Sequence, residues 1–207
     1  MAQIFRIHPV NPQPRLIKQV VGLLCEGKVI IYPTDSRYAL GCQIGHKAAQ
    51  ERIRRIREVD LRHNFTLVCR DLSELAIYSI VDNPAYRLIK ALTPGSYTFI
   101  LKATREVPRR LQDPRRKTIG LRVPDNRIAL AILEALGEPI MSSTLLLSGE
   151  NAVPTDPELI YERFGKQVDL VIDGGNCGFE PTTVVDLTEG VPQVIRQGKG
   201  DISLFEQ

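Results

Sequence analysis

Apolar positions along the chain change their spacing repeatedly, and each change marks a new element. Leu16, Ile17, Val20, Val21, Leu23 and Leu24 fall on one stripe of a helix predicted over residues 13–26, and Gly27 suits the position just past its end. A short strand at 4–7 precedes it. Val29-Ile30-Ile31-Tyr32 is an unbroken apolar run stopped by Pro33, which reads as a buried strand. The polar turn Thr34-Asp35-Ser36-Arg37 then leads into a second extended segment at 38–44. A strand that feeds a polar loop is where α/β proteins place their sites.

The same reading predicts helices over 47–58, 72–78, 83–92, 126–136 (closed by Gly137) and 156–164. Further strands are predicted over 65–69, 97–102, 118–123, 139–144, 168–172, 183–187 and 192–196. Helices and strands interleave without a repeat. The short links near 118–123 and 183–196 favour a twisted, open, mixed α/β sheet with flanking helices over a purely parallel one. Neither a GxxxxGK[ST] loop nor a GxGxxG turn is present, so the standard nucleotide-binding folds lack support.

With 207 residues, 43% of them apolar and 25% charged, the chain suits one folded domain spanning 1–207. No run approaches 18 apolar residues, and residues 1–14 are polar or proline-rich where a signal peptide needs an apolar stretch. The expectation is a soluble, cytoplasmic protein with no membrane partner. Cys25, Cys42, Cys69 and Cys177 lie 17, 27 and 108 residues apart with no CxxC pair, and the three histidines show no ligand spacing. No metal ligand is assigned.

Charge adds a second layer. Residues 1–51 carry 6 basic and 3 acidic groups, residues 52–127 carry 17 and 8, and residues 128–207 carry 4 and 13, so a +9 centre is followed by a −9 end. Arg supplies 19 of the 27 basic residues, and its guanidinium fork pairs two phosphate oxygens at once. The centre therefore points to a phosphate-bearing partner, although the two regions could also neutralise one another. Arg105, Arg109, Arg110, Arg115, Arg116 and Lys117 fall within thirteen residues broken by Pro108 and Pro114, a loop or short helical turns. This run is either a solvated face or a track for a nucleic-acid backbone. It has no interleaved aromatic residue, which favours double-stranded or folded RNA over a stacked single strand.

Candidate chemistry collects at strand ends. Asp35 between two hydroxyls could hold a small polar substrate or simply cap its turn. Arg54 and Arg57 share a helical face at i, i+3 while Arg55 projects elsewhere. Arg122 interrupts the apolar strand Ile119-Gly120-Leu121-Arg122-Val123 and needs a partner, with a bound phosphate as one candidate. Hydroxyls cluster again at Ser142-Ser143-Thr144, Ser148 and Thr182-Thr183, and Arg196 ends the last strand. Hydroxyls and arginines without a histidine, cysteine or metal box suit anion positioning better than nucleophilic catalysis.

Five motifs, in order, resemble those of the YrdC-domain family, the threonylcarbamoyl-AMP synthases that serve tRNA modification, and most closely its YciO branch. Pro33-Thr34-Asp35-Ser36-Arg37-Tyr38-Ala39-Leu40-Gly41 matches P-T-[ED]-T-x-Y-G-L-G, and Pro94-Gly95-Ser96-Tyr97-Thr98 matches P-G-x-x-T. Arg122-Val123-Pro124, Thr182-Thr183-Val184-Val185-Asp186 and Arg196-Gln197-Gly198 match R-x-P, [ST]-T-V-V-D and R-x-G. The resemblance implies a twisted open sheet with a positively charged concave cavity, condensation of L-threonine, bicarbonate and ATP with Mg²⁺ assisting, and binding of double-stranded RNA or tRNA. It implies Thr34, Ser36, Arg55, Arg57 and Thr144 on the threonine side. Arg57, Arg122, Ser148, Thr183 and Arg196 would lie at the nucleotide, and Arg109, Arg110, Arg115, Arg116 and Lys117 at RNA.

Two positions depart from the pattern. The family's K-x-R is matched by Arg55-Ile56-Arg57, a planar fork in place of an ammonium. Its S-x-N is matched by Thr144-Leu145-Leu146, an apolar side chain in place of an amide. These departures imply a nucleotide- and RNA-binding relative with weak or lost synthase activity. An active synthase remains the alternative, as does an ATP-dependent enzyme on another small carboxylate, which the resemblance to carbamoyl-handling HypF proteins allows.

Overall fold

The computed structural model describes residues 1–60, 63–146 and 154–205. Its strands are β1 (Gln3–Arg6), β2 (Ile30–Tyr32), β3 (Ala39–Gln43), β4 (Thr66–Val68), β5 (Ser79–Ile80), β6 (Tyr97–Ala103), β7 (Thr118–Arg122), β8 (Ile140–Thr144), β9 (Leu170–Asp173), β10 (Thr183–Asp186) and β11 (Gln193–Arg196). The helices are α1 (Pro14–Cys25), α2 (Lys47–Arg57), α3 (Leu72–Tyr78), α4 (Asn83–Leu92), α5 (Arg127–Leu136) and α6 (Pro157–Phe164). The sequence pattern anticipates every one of these except β5, a two-residue strand too short to show a period.

The strands form one open mixed sheet in the order β1-β9-β2-β3-β8-β4-β7-β6-β10-β11, with β5 paired to β6 off this path. β9 lies parallel between β1 and β2, and β10 runs parallel to β6. β3, β8 and β4 are joined by antiparallel pairing, and β4 and β7 run parallel. The expected mixed α/β sheet is therefore the one observed.

Alternation along β2 explains the two layers of helices. Ile30 and Tyr32 pack with Ile17, Val20 and Leu24 of α1 and with Ile128, Ile132 and Leu133 of α5. Val29 and Ile31 point to the other face, toward Ile53 of α2, Leu75 of α3, Ile89 of α4 and Phe164 of α6. A strand buried on both faces must be apolar throughout, as residues 29–32 are. Local signals fix the helix ends. Asp71, Asp82 and Asn126 each accept a backbone N–H three residues on, at 2.9, 2.8 and 3.0 Å, and Gly137 closes α5 with φ of 75°. No helix among the described residues is long and apolar enough to cross a membrane.

Candidate anion-binding site

The polar loop after β2 is a closed turn built on Thr34. Its Oγ1 accepts the N–H groups of Ser36 and Arg37, both at 3.2 Å, and donates to the Arg37 carbonyl at 2.6 Å. Thr34 and Ser36 are 4% and 3% exposed, and the Thr34 hydroxyl serves the loop itself. Asp35 does more than cap the turn. One carboxylate oxygen takes the Arg122 guanidinium in an ion pair, and the other accepts the Ser96 hydroxyl at 2.6 Å. Arg122 also reaches Ser36 Oγ at 3.3 Å. The first three motifs thus converge on one buried network, and its carboxylate already supplies the partner that Arg122 in an apolar strand requires.

The last two motifs also meet. Thr183 is fully buried, accepting Gly198 N–H at 3.0 Å and donating to the Gly200 carbonyl at 2.7 Å. A Cβ at Gly198 would lie 2.3 Å from the Pro181 carbonyl oxygen, so only glycine lets the tail lie this close to the start of β10. Arg196 clamps the Thr182 carbonyl at 2.9 Å, while Thr182 Oγ1 meets Thr98 Oγ1 at 2.9 Å. Thr182, rather than the expected Thr183, presents its hydroxyl beside the cavity.

That cavity is about 290 Å³ and is lined by groups from the β2–β3 loop, the end of α2, β4, β6, β7, β8, β10 and β11. Among its lining residues are Arg37, Arg57, Arg116, Arg122 and Arg196, together with His63 and Asp113. Two of the arginines are compensated, Arg122 by Asp35 and Arg116 by Asp186 at 2.7 Å. The other three donate to uncharged acceptors: Arg37 to the Phe179 carbonyl, Arg57 to the Thr144 carbonyl, and Arg196 to the Thr182 carbonyl and hydroxyl. Among the described residues none of these three has a carboxylate partner. Burial pulls the Arg57 guanidinium down to about 10, and burial followed by the Arg37 charge lowers Arg196. Arg57 and Arg122 each also keep a buried Nε without a hydrogen-bond partner among the described residues. The arrangement favours an anion with several oxygens.

Of the residues anticipated from sequence, the cavity gathers Arg57, Arg122, Ser142, Ser143, Thr144, Thr182 and Arg196, with Leu146 beside them and Arg116, expected at RNA, on the same wall. Thr34 and Ser36 stand behind Arg122, and Ser148 lies outside the described residues. Arg55 is exposed on α2 and is not among the lining residues. Sequence reasoning missed Arg37, His63 and Thr98 as cavity groups. Arg37 sits within the very loop singled out, and only three dimensions show it reaching across to Phe179.

The basic run lies between β6 and β7, where Arg109 and Arg110 belong to a short helical turn and Arg109, Arg110, Arg115, Arg116 and Lys117 are all exposed. Arg110 leans on Gln50 at 2.7 Å, and Asp113 Oδ1 accepts the N–H groups of Arg115 and Arg116 at 2.9 and 2.7 Å. Part of the basic centre is neutralised by the acidic end, since Arg52 pairs with Asp169 and Arg116 with Asp186. The rest of this run is free to meet solvent or a partner.

A family profile, Sua5_yciO_yrdC, described as Telomere recombination, matches residues 22–198. The chain belongs to this family. YciO of Escherichia coli K12 is 60% identical over 205 residues, covering 99% of this chain and 100% of that protein, and the crystal structure of E. coli YciO superposes with a TM-score of 0.95. Threonylcarbamoyl-AMP synthase of Vibrio vulnificus YJ016 is 28% identical over 187 residues, covering 88% of this chain and 98% of the synthase. The structure of Pyrococcus abyssi Sua5 complexed with L-threonine shares 27% identity and a TM-score of 0.86, covering 94% of this chain and 57% of Sua5. The expected family and its branch are the ones found, and the relation to the synthases is the more distant one.

Proposed function

We propose that this protein binds a nucleoside triphosphate in the arginine-lined cavity and RNA on the exposed basic connection between β6 and β7, with the synthase chemistry of its distant relatives weakened. The observation that carries the reading is the set of three cavity arginines, Arg37, Arg57 and Arg196, that have only uncharged acceptors and no carboxylate partner among the described residues. Triphosphate oxygens supply the charge they lack. ATP is the ligand by relation to the synthases, with L-threonine as the second substrate tested.

Leu146 is the reason to expect weak synthesis. It lines the cavity where the family pattern places an amide, and one lost hydrogen bond costs about 1 to 3 kcal/mol, roughly 10- to 150-fold in affinity or rate. Arg55, exposed and off the cavity, adds nothing to that argument. The residues also bear on Mg²⁺. Asp113 of the lining spends Oδ1 on two backbone N–H groups, and no group of three His, Cys, Asp or Glu among the described residues is placed to hold a metal. The described residues do not fit a protein-held Mg²⁺.

The test combines calorimetric titration with ATP and an assay of pyrophosphate and labelled adenylate from ATP, L-threonine and labelled bicarbonate. The expected outcome is measurable ATP affinity with slow or absent product. Absence of ATP binding by folded protein refutes the nucleotide reading; efficient adenylate formation favours the active-synthase alternative.

A further inference from the structure

His63 and Ser143, 80 residues apart in sequence, meet on the wall of the cavity, with His63 Nε2 lying 3.0 Å from Ser143 Oγ. The imidazole stands edge-on to Phe65, ring centroids 5.3 Å apart at 88°, which fixes its plane. The charged groups bearing on it are Arg57, Arg54 and Asp60. Burial and the two arginines pull it down to about 4, against the opposing pull of Asp60, so it stands neutral with a free lone pair on the ring. Ser143 precedes Thr144, whose carbonyl takes the Arg57 guanidinium, and Arg57 Nε is buried there without a partner. A serine hydroxyl, a neutral imidazole at hydrogen-bond distance and an unspent guanidinium donor thus line one cavity.

We propose that Ser143 is a nucleophile, with His63 as its base, that hydrolyses mixed anhydrides between a carboxylic or carbamic acid and a nucleoside 5′-phosphate. The proposal rests on the reading of the cavity as a nucleotide site and adds to it an activity opposite in direction to synthesis. Ser143 Oγ attacks the carbonyl carbon and its proton passes to His63 Nε2. The bond from carbonyl carbon to phosphate oxygen breaks, and the nucleoside monophosphate leaves as an anion held by the arginines. His63 releases its proton to solvent. Water then attacks the seryl ester and gives a proton to His63, which returns it to Ser143 Oγ as the ester bond breaks. One water is consumed, and the products are the free acid and the monophosphate.

Acetyl-adenylate is the probe, with AMP release followed in wild type, Ser143→Ala, Ser143→Cys and His63→Gln. Intact mass after an acid quench and calorimetric binding of AMP complete the set. Wild type is expected to accelerate release at least 100-fold over the uncatalysed reaction, with roughly 100-fold or greater losses in Ser143→Ala and His63→Gln. Ser143→Cys, which keeps a nucleophile of similar size, is expected to accumulate an acetyl adduct at that position. Because the reaction needs neutral His63, the wild-type rate falls as pH drops through the histidine's pKa in the complex. His63→Gln lacks this limb. AMP binding without accelerated release, or full activity in Ser143→Ala, overturns the proposal while the nucleotide reading stands. If neither AMP nor ATP binds, both fall.

Discussion

Replacing Arg122 by alanine strips the counter-charge from a carboxylate that has almost no access to water. The Arg122 and Asp35 side chains are 9% and 7% exposed, and without the guanidinium Asp35 keeps the Ser96 hydroxyl at 2.6 Å as its side-chain partner. Breaking a buried pair by removing one member costs about 3 to 5 kcal/mol, because the remaining charge is left buried and uncompensated. In a chain of this size each kcal/mol moves the melting temperature by about 2 to 4 °C, so Arg122→Ala should melt about 6 to 20 °C below wild type. Asp35→Asn in the same background removes the stranded charge and should recover part of the loss, with a coupling of about 0.5 to 3 kcal/mol across the double-mutant cycle. Urea denaturation of the four proteins measures that coupling, and scanning calorimetry gives the melting temperatures. A fall of less than about 2 °C in Arg122→Ala, or strict additivity in the cycle, would show that the pair does not hold the loop to β7 as described.

Three further outcomes follow from the cavity and its rim. Arg57→Ala, which removes a guanidinium with no carboxylate partner among the described residues, should weaken ATP binding by about 1.5 to 3 kcal/mol in calorimetric titration. Changing Arg109, Arg110, Arg115 and Lys117 together to alanine should flatten the log-log salt dependence of duplex RNA binding by roughly 0.7 to 0.9 for each phosphate no longer engaged, and an unchanged slope would place the RNA elsewhere. Leu146→Asn should raise ATP- and threonine-dependent pyrophosphate release above wild type, with a thermal melt to detect the cost of a misplaced amide; a folded variant without gain would clear Leu146 of responsibility.

The element boundaries were legible because the punctuation is local. Pro33 stops β2, Asn126 and Gly137 bracket α5, and an apolar run as short as residues 29–32 declares a strand buried on both faces. The strand order was not legible, since nothing near β10 announces that it will lie parallel to β6 rather than beside its neighbour β9. The site was legible as residue types but not as directions. Neighbouring hydroxyls on a strand face opposite ways, so the Thr182-Thr183 pair could not say which member meets the cavity. Asp35 reads in sequence as a turn cap or a ligand group, because its partner Arg122 is 87 residues away. Arg55 divides the two readings: the resemblance implied it on the threonine side, whereas i, i+3 geometry separates it from Arg54 and Arg57, and its exposure on α2 agrees with the geometry.

The lashing of the tail onto β10 through Thr183 and Gly198 has a consequence for the order in which the molecule is completed. Arg196 and Thr182 form one side of the ligand space, whereas Arg57 and Ser143 on the other side are synthesised far earlier. A growing chain can therefore pair β2, β3, β4, β6, β7 and β8 and still have no enclosed place for an anion, because the closing wall is added last. Binding of the proposed nucleotide would then report completion of the chain rather than formation of the sheet. In a stalled or shortened product lacking residues 181–200, most of the core would be built and the arginines on the near side would face open solvent.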